Sequence, residues 1–302
     1  MIASQLIPQW FAGLLEQPQV TDVLVNRFDQ VFIDSNTGLH QVASEFVSDT
    51  EVAYLAQSLI EAGGNHIDYA NPICDVSIRF GEATLRVHAA LANRISDHAS
   101  LSIRIHRPSH HNLSELQAAG LINDEKLQQL EALIVSGKNF VISGGTGSGK
   151  TTLLRALLAL NGSKRTIVIE DTPELMPLDG HFVALNARAA NSEGFGRIDI
   201  QRLLVEALRM RPDRLVIGEV RGVEVITLVE ALNLGVEQAA FTIHANSSTQ
   251  VSERLQMLWM RAGRTTQDLQ SQLSLQPLIV IHLAKVQGRR QVVSIETLSG
   301  LS

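Results

Sequence analysis

Apolar and polar positions alternate between residues 74 and 105. Cys74, Val76, Ile78 and Phe80 share one parity; after Gly81-Glu82, Leu85, Val87 and Ala89 run back, and Leu101, Ile103 and Ile105 repeat the pattern. A period of two bounded by turn residues predicts antiparallel strands with one buried face. Upstream, Val20–Val25 and Gln30–Asp34 read as two further strands around Asn26-Arg27-Phe28-Asp29. A short helix is expected near Gln5–Leu15. A second, capped by Asp49, is expected to run to about Ala62, where Gly63-Gly64 ends it.

From Asn139 the texture changes. Apolar runs at Phe140–Ser143, Thr166–Ile169, Leu215–Ile217 and Ala240–Thr242 alternate with helical patterns, which predicts a mostly parallel sheet flanked by helices. A helical region over Ser114–Ser136, closed by Gly137, leads into it, and Val225–Leu232 reads as an amphipathic helix packed on the core. Arg107-Pro108-Ser109-His110-His111-Asn112 is polar and holds a proline. The fold class is therefore α/β, with an α+β domain over 1–107, a linker at 108–112 and a second domain over 113–302.

Composition narrows the class. With 302 residues, 45% apolar and 4% aromatic, the chain can fill two cores, mostly with Leu, Ile, Val and Ala. A disordered chain and a collagen-like fibre are excluded. The single cysteine, Cys74, excludes an internal disulfide and a multi-cysteine metal cluster; its strand position reads as a small buried hydrophobe. Charge is uneven: residues 1–112 carry 12 acidic and 6 basic residues, residues 113–302 carry 19 of each. The net charge of −6 and the missing basic stripe argue against direct nucleic-acid binding. The start carries no basic segment followed by a long apolar one, and no run approaches 18 apolar residues, so a cytoplasmic location is expected.

The chemistry centres on Gly144-Gly145-Thr146-Gly147-Ser148-Gly149-Lys150-Thr151, a full G-x-x-x-x-G-K-[ST] pattern between the strand Phe140–Ser143 and a helix beginning Thr152-Leu153-Leu154. Glycines let successive backbone N–H groups turn inward on phosphate, and the helix N-terminus adds positive potential. Lys150 is expected on the β- and γ-phosphates of ATP, and Thr151 on Mg²⁺. Thr152, next in the helix, belongs to the same cradle. Glu219 ends the apolar run Arg214–Gly218 and is placed to hold the Mg²⁺ shell directly or through water. Glu170, after Ile167-Val168-Ile169, is the first choice as base or orienting group for water, with Glu174 second and Asp171 a turn residue. His244 sits at a further strand end, where a neutral imidazole would meet the γ-phosphate.

Several stretches resemble one family. Leu208-Arg209-Met210-Arg211-Pro212-Asp213-Arg214-Leu215-Val216-Ile217-Gly218-Glu219-Val220-Arg221 is similar to the Walker B region of type II/type IV secretion ATPases. Ile169-Glu170-Asp171-Thr172-Pro173-Glu174-Leu175 resembles their Asp box and Thr242-Ile243-His244-Ala245-Asn246-Ser247 their His box. Val20–Asn26 and Asp29–Ile33 resemble their opening hairpin, so the likeness spans roughly residues 15–298. Within the family the details look most like the Flp/Tad pilus assembly motor, with conjugation and type IV secretion motors next.

The resemblance implies an N-terminal PAS-like domain, a RecA-like P-loop ATPase domain, a homo-hexameric ring and polytopic inner-membrane platform proteins as partners. It implies hydrolysis of ATP coupled to pilus assembly or protein secretion at the inner face of the cell membrane. It also assigns arginines of the first domain to the nucleotide phosphates. Leu85-Arg86-Val87-His88 and Ser102-Ile103-Arg104-Ile105 match those motifs, and Arg94 is a third candidate. Arg209, Arg211 and Arg221 are expected in subunit contacts or acid pairing. One cysteine excludes the zinc insert that some members carry. Two alternatives stay open: a nucleotide-dependent scaffold with little turnover, and a DNA-transfer ATPase.

Overall fold

The computed structural model describes residues 6–35, 37–93, 96–107, 111–160, 162–175, 179–188, 190, 195–233 and 236–298. Arg94 and positions 108–110 of the expected linker lie outside them. The chain divides into two compact units, Met1–Pro108 with Ala189–Arg197, and Ser109–Arg188 with Ile198–Ser302.

The first unit is built on helices α1 (Gln9–Glu16) and α2 (Asp49–Ala62) and strands β1 (Val20–Arg27), β2 (Gln30–Ser35), β3 (His40–Val42), β4 (Ile73–Phe80), β5 (Ala83–Ala90) and β6 (Ser100–His106). The strands form one antiparallel sheet in the order β3-β2-β1-β6-β5-β4. Alternation sends Val23, Val25, Val87, Leu101 and Ile103 inward, where they meet Val52, Leu55, Ala56, Leu59 and Ile60 of α2. Trp10, Phe11 and Phe46 close one end, with ring centroids 5.0 to 5.7 Å apart. The sequence places Asp49 at the cap of α2; in the structure Ser48 occupies that position. The Asp49 carboxylate is used elsewhere: Oδ1 accepts from the Phe28 amide at 3.1 Å, and Oδ2 lies 2.5 Å from His98 Nδ1.

The second unit holds α3 (Leu113–Ala118), α4 (Asp124–Ser136), β7 (Asn139–Gly144), α5 (Lys150–Ala159), β8 (Thr166–Glu170), β9 (Phe182–Asn186), α6 (Ile200–Leu208), β10 (Arg214–Ile217), α7 (Glu224–Leu232), β11 (Gln238–Ile243), α8 (Gln250–Arg261), α9 (Thr266–Leu275), β12 (Leu278–Val286) and β13 (Arg289–Thr297). The helical stretch read as continuous from Ser114 to Ser136 is two helices. Gly120 adopts φ +78°, and Asn123 caps the second by accepting from the Lys126 amide at 2.9 Å. Asn112, read as linker, is the first helix's cap: it accepts from the Glu115 amide at 2.9 Å, and Glu115 returns the bond at 3.1 Å.

Seven strands lie in the order β13-β12-β7-β11-β10-β8-β9, parallel except for the β12–β13 hairpin. One face packs with α3, α4 and α5 through Phe140, Ile142, Val168, Val216 and Ala240; the other packs with α6 to α9 through Val141, Ile169, Ile217, Phe241 and Ile243. Burial on both faces explains why these strands read as short apolar runs. Among the described residues, no helix is long and apolar enough to cross a membrane.

Arg107 closes the first unit's chain path. Its Nη2 donates to the carbonyls of Leu15 at 2.6 Å and Gln17 at 2.8 Å, and its Nη1 donates to that of Val20. These bonds tie the α1–β1 turn to the end of β6. Arg107→Leu should destabilise the protein by about 2 kcal/mol, as charge-assisted bonds of this kind contribute. Denaturant unfolding measures this, and an unchanged midpoint would refute the role.

Candidate functional site

The C-terminal ends of β7, β8, β10 and β11 carry the candidate chemistry. β7 delivers Gly144, and the loop 145–149 leads into α5. A Cβ on Gly144 would lie 2.5 Å from the Leu283 carbonyl oxygen and 2.6 Å from Ser148 Oγ, so only glycine fits this tight exit. Gly147 at φ +68° and Gly149 at φ +99° turn the loop, and no side chain caps α5. The first-turn N–H groups of that helix therefore have no intrahelical acceptor and no cap. Lys150 is buried, and its Nζ donates to the carbonyls of Gly144 and Gly145, each at 3.0 Å. Burial lowers its pKa, with Glu219 and Glu174 opposing that shift. Ser148 Oγ is buried without a partner among the described residues. Thr151 and Thr152 are half-buried at the helix start.

Glu219 lies two residues past β10. Its Oε2 accepts from Arg221 Nη2 at 2.6 Å, and its Oε1 lies 3.0 Å from His244 Nε2. The loop after β11 brings His244 there. Burial and the Lys150 charge lower the His244 pKa, so the ring is neutral near pH 7 and donates Nε2–H to the carboxylate. Backbone bonds fix the spacing: the Val220 amide donates to the Thr242 carbonyl at 3.0 Å, and Thr242 Oγ1 donates to the Gly218 carbonyl at 2.5 Å. Lys150, Glu219, Arg221 and His244 thus act on one another electrostatically.

Glu170 ends β8 and is 3% exposed. Its Oε1 accepts from the Glu174 and Leu175 amides at 3.0 Å each, while Oε2 is buried without a partner among the described residues. The turn that could have carried Glu174 away instead clamps Glu170 with its backbone. Burial raises the Glu170 pKa to about 7, against the two backbone bonds and the Arg155 charge. Gly218 makes room for it: a Cβ there would sit 3.0 Å from Glu170 Cγ.

The donor set fits a nucleotide phosphate with Mg²⁺. A glycine cradle, an uncapped helix start, a buried lysine, an unpartnered buried hydroxyl and the Thr151 hydroxyl all present groups suited to a bound polyphosphate. Glu219, with both oxygens engaged, suits the outer shell of a cation better than the inner.

The arginines of the first unit sit on its sheet. Arg86 and Arg104 are direct cross-strand partners on β5 and β6, and Arg104 Nε donates to Asp22 Oδ1 of β1 at 2.9 Å. Of the arginines near Glu219, Arg221 pairs with it, and Arg209 pairs with Glu206 at 3.1 Å. Arg211 holds a left-handed φ of +56°.

A family model described as Type II/IV secretion system protein matches residues 11–289. The chain belongs to that family. A putative conjugal transfer protein of Mycobacterium tuberculosis is 39% identical over 290 residues, covering 94% of this chain and 82% of that protein. The conjugal transfer protein TrbB of Rhizobium radiobacter is 28% identical, over 83% of this chain and 75% of its own. In fold, the chain is similar to the Legionella pneumophila ATPase DotB, with a TM-score of 0.60 at 19% identity over 93% of this chain and 77% of that one. The fold is that of these family ATPases: an N-terminal domain followed by a RecA-like domain.

Three residues of this family member's site escaped the sequence reading. Arg155 on α5 faces Glu170 electrostatically, Gly218 admits it, and His282 on β12 meets Ser143 at the base of the phosphate loop. A lone histidine inside the apolar run Leu278–Leu283 was the one signal available.

Between about pH 4.5 and 7 native Glu170 keeps a proton that the unfolded chain releases. Its contribution to stability is full below pH 4.5 and is lost as pH rises through 7. Glu170→Gln should therefore be more stable than the parent near pH 8, by at most roughly 3 kcal/mol, and the gain should vanish near pH 5. Urea unfolding at both pH values measures this. An equal difference at both would contradict the buried acid.

Proposed function

We propose that this chain is an ATP hydrolase, a homo-hexameric motor of a conjugation or type IV secretion machine, working in the cytoplasm against inner-membrane platform proteins. The observation that carries the hydrolase reading is Glu170: a buried carboxyl with pKa about 7, held by two amides and presenting a second oxygen without a partner among the described residues. Such a group suits the acceptance of a proton from attacking water near neutral pH.

The roles follow from the geometry. Lys150 exchanges its two carbonyl bonds for β- and γ-phosphate oxygens. The N–H groups from Gly145 to Thr152 line the phosphates. When bound, Mg²⁺ would neutralise charge on the phosphates, held by the Thr151 hydroxyl and, through water, by Glu219. His244 stays neutral, fixed by Glu219, with its other ring nitrogen available near the γ-phosphate. Arg86 and Arg104 put two like charges on adjacent strands, and among the described residues the one carboxylate paired with either is Asp22, on Arg104. That surplus supports the expectation that they bind phosphate oxygens.

The choice of machine rests on the relatives. Two of them, in Mycobacterium tuberculosis and Rhizobium radiobacter, carry conjugal transfer names. They support the conjugation reading over the Flp/Tad pilus motor, the branch of the family that the sequence most resembles. Direct binding of DNA by this chain is still not expected, given its net charge of −6.

Purified protein should hydrolyse ATP with Mg²⁺, and Lys150→Ala should lose at least about a hundredfold in turnover. Equal turnover in both would overturn the assignment. Arg104→Ala should lower turnover without unfolding the first unit; full activity would remove the arginines from the site. Loss of plasmid transfer with intact piliation in a deletion strain separates the conjugation motor from the pilus motor.

A further inference from the structure

His282 lies on β12, buried at 4% exposure, within the apolar stretch Leu278, Ile279, Val280, Ile281 and Leu283 of that strand. A buried imidazole in such a strand is costly unless both ring nitrogens are satisfied. Here both have partners. Nδ1 lies 2.8 Å from Ser143 Oγ on the adjacent strand β7, and the ring hydrogen-bonds the backbone of Asn246. Burial holds its pKa below the ordinary imidazole value. A neutral ring with its proton directed at the Asn246 carbonyl leaves Nδ1 to accept from the Ser143 hydroxyl.

Both partners are placed with purpose. Ser143 directly precedes Gly144, whose carbonyl accepts from Lys150. Asn246 is two residues beyond His244, in the loop 244–249 between β11 and α8. That loop is tied to α8 by Gln250 Oε1, which accepts from the Asn246 amide at 3.2 Å, and by Ser247 Oγ, which accepts from the Gln250 amide at 3.3 Å. His282 ties the same loop to the strand that delivers the phosphate cradle.

We propose that His282 is a positioning residue, a strut between the base of the phosphate loop and the loop that holds His244 against Glu219. The proposal rests on the hydrolase reading above. When phosphates displace Lys150 from the Gly144 carbonyl, a shift at Gly144 passes through Ser143 and His282 to the histidine loop. His282 touches no nucleotide group itself. Its loss should therefore slow turnover and leave nucleotide affinity intact.

The test is a double-mutant cycle on purified protein, with kcat and KM for MgATP measured for His282→Phe, Ser143→Ala and His244→Ala, singly and combined. Phenylalanine fills the ring's volume without either bond. His282→Phe should lower kcat about tenfold with KM unchanged within about twofold, and should cost less than about twofold in the His244→Ala background. Ser143→Ala cuts the same path with a smaller change and should show the same non-additivity, which keeps the test open if His282→Phe fails to fold. An undiminished kcat in both variants, or an equal loss with and without His244, would overturn the strut. Hydrogen exchange over residues 244–249 gives a readout without turnover: it should rise in His282→Phe, and unchanged exchange would also overturn the proposal. A parent protein that does not hydrolyse ATP, or a fully active His244→Ala, would instead overturn the reading on which the strut rests.

Discussion

Parallel register at the C-terminal edge of the second sheet is the constraint on which the site depends. Ile217 aligns with Ile169 on one side and Phe241 on the other, and Phe241 aligns with Val141. With these rows level, Glu170, Glu219, His244 and Gly144 all emerge at the same edge. A slip of one residue on β8 would turn Glu170 to the opposite face and bury an apolar neighbour's place with charge. The two-sided apolar packing of Val141, Ile169, Ile217 and Phe241 on one face and Ile142, Val168 and Val216 on the other forbids that slip. The candidate site's edge is thus fixed by core residues buried between the sheet and its helices.

Electrostatics at that edge are organised by burial and by backbone dipoles together. Lys150 is desolvated yet bound to two carbonyls, a state it can leave when phosphate oxygens offer stronger partners. Glu170 is desolvated with only one oxygen satisfied by protein, so it neither ionises fully nor pairs off. Glu219 is the contrasting carboxylate, paired on both oxygens and committed to holding Arg221 and His244. Two carboxylates on neighbouring strands so acquire different work from their surroundings, one suited to moving a proton and one to holding positions.

Much of this was legible in the sequence, for physical reasons. The phosphate loop depends on backbone geometry that only glycine supplies, so Gly144–Lys150 announces itself. The antiparallel half follows from strict alternation, and β7, β8, β10 and β11 from short apolar runs. What escaped depends on contacts between distant segments. β9 is a half-buried edge strand without clean alternation, and the β12–β13 hairpin hides in an apolar run ending near Gly288. The division of the 114–136 helix followed from Gly120 and Asn123, whose capping role shows only once the turn is formed. Asp49 reads as a helix cap because no local pattern reveals His98, half the first unit away in sequence. The engagement of Glu219 by Arg221 and His244, and of Ser143 by His282, is likewise a property of assembled strands.

On the proposed function, Glu170 is the group whose proton governs turnover. The most direct measurement is the pH dependence of kcat/KM for MgATP hydrolysis by the parent protein. kcat/KM should rise tenfold per pH unit below the Glu170 pKa of about 7 and level off above it. A kcat/KM that is flat from about pH 5.5 to 8.5 would contradict that role.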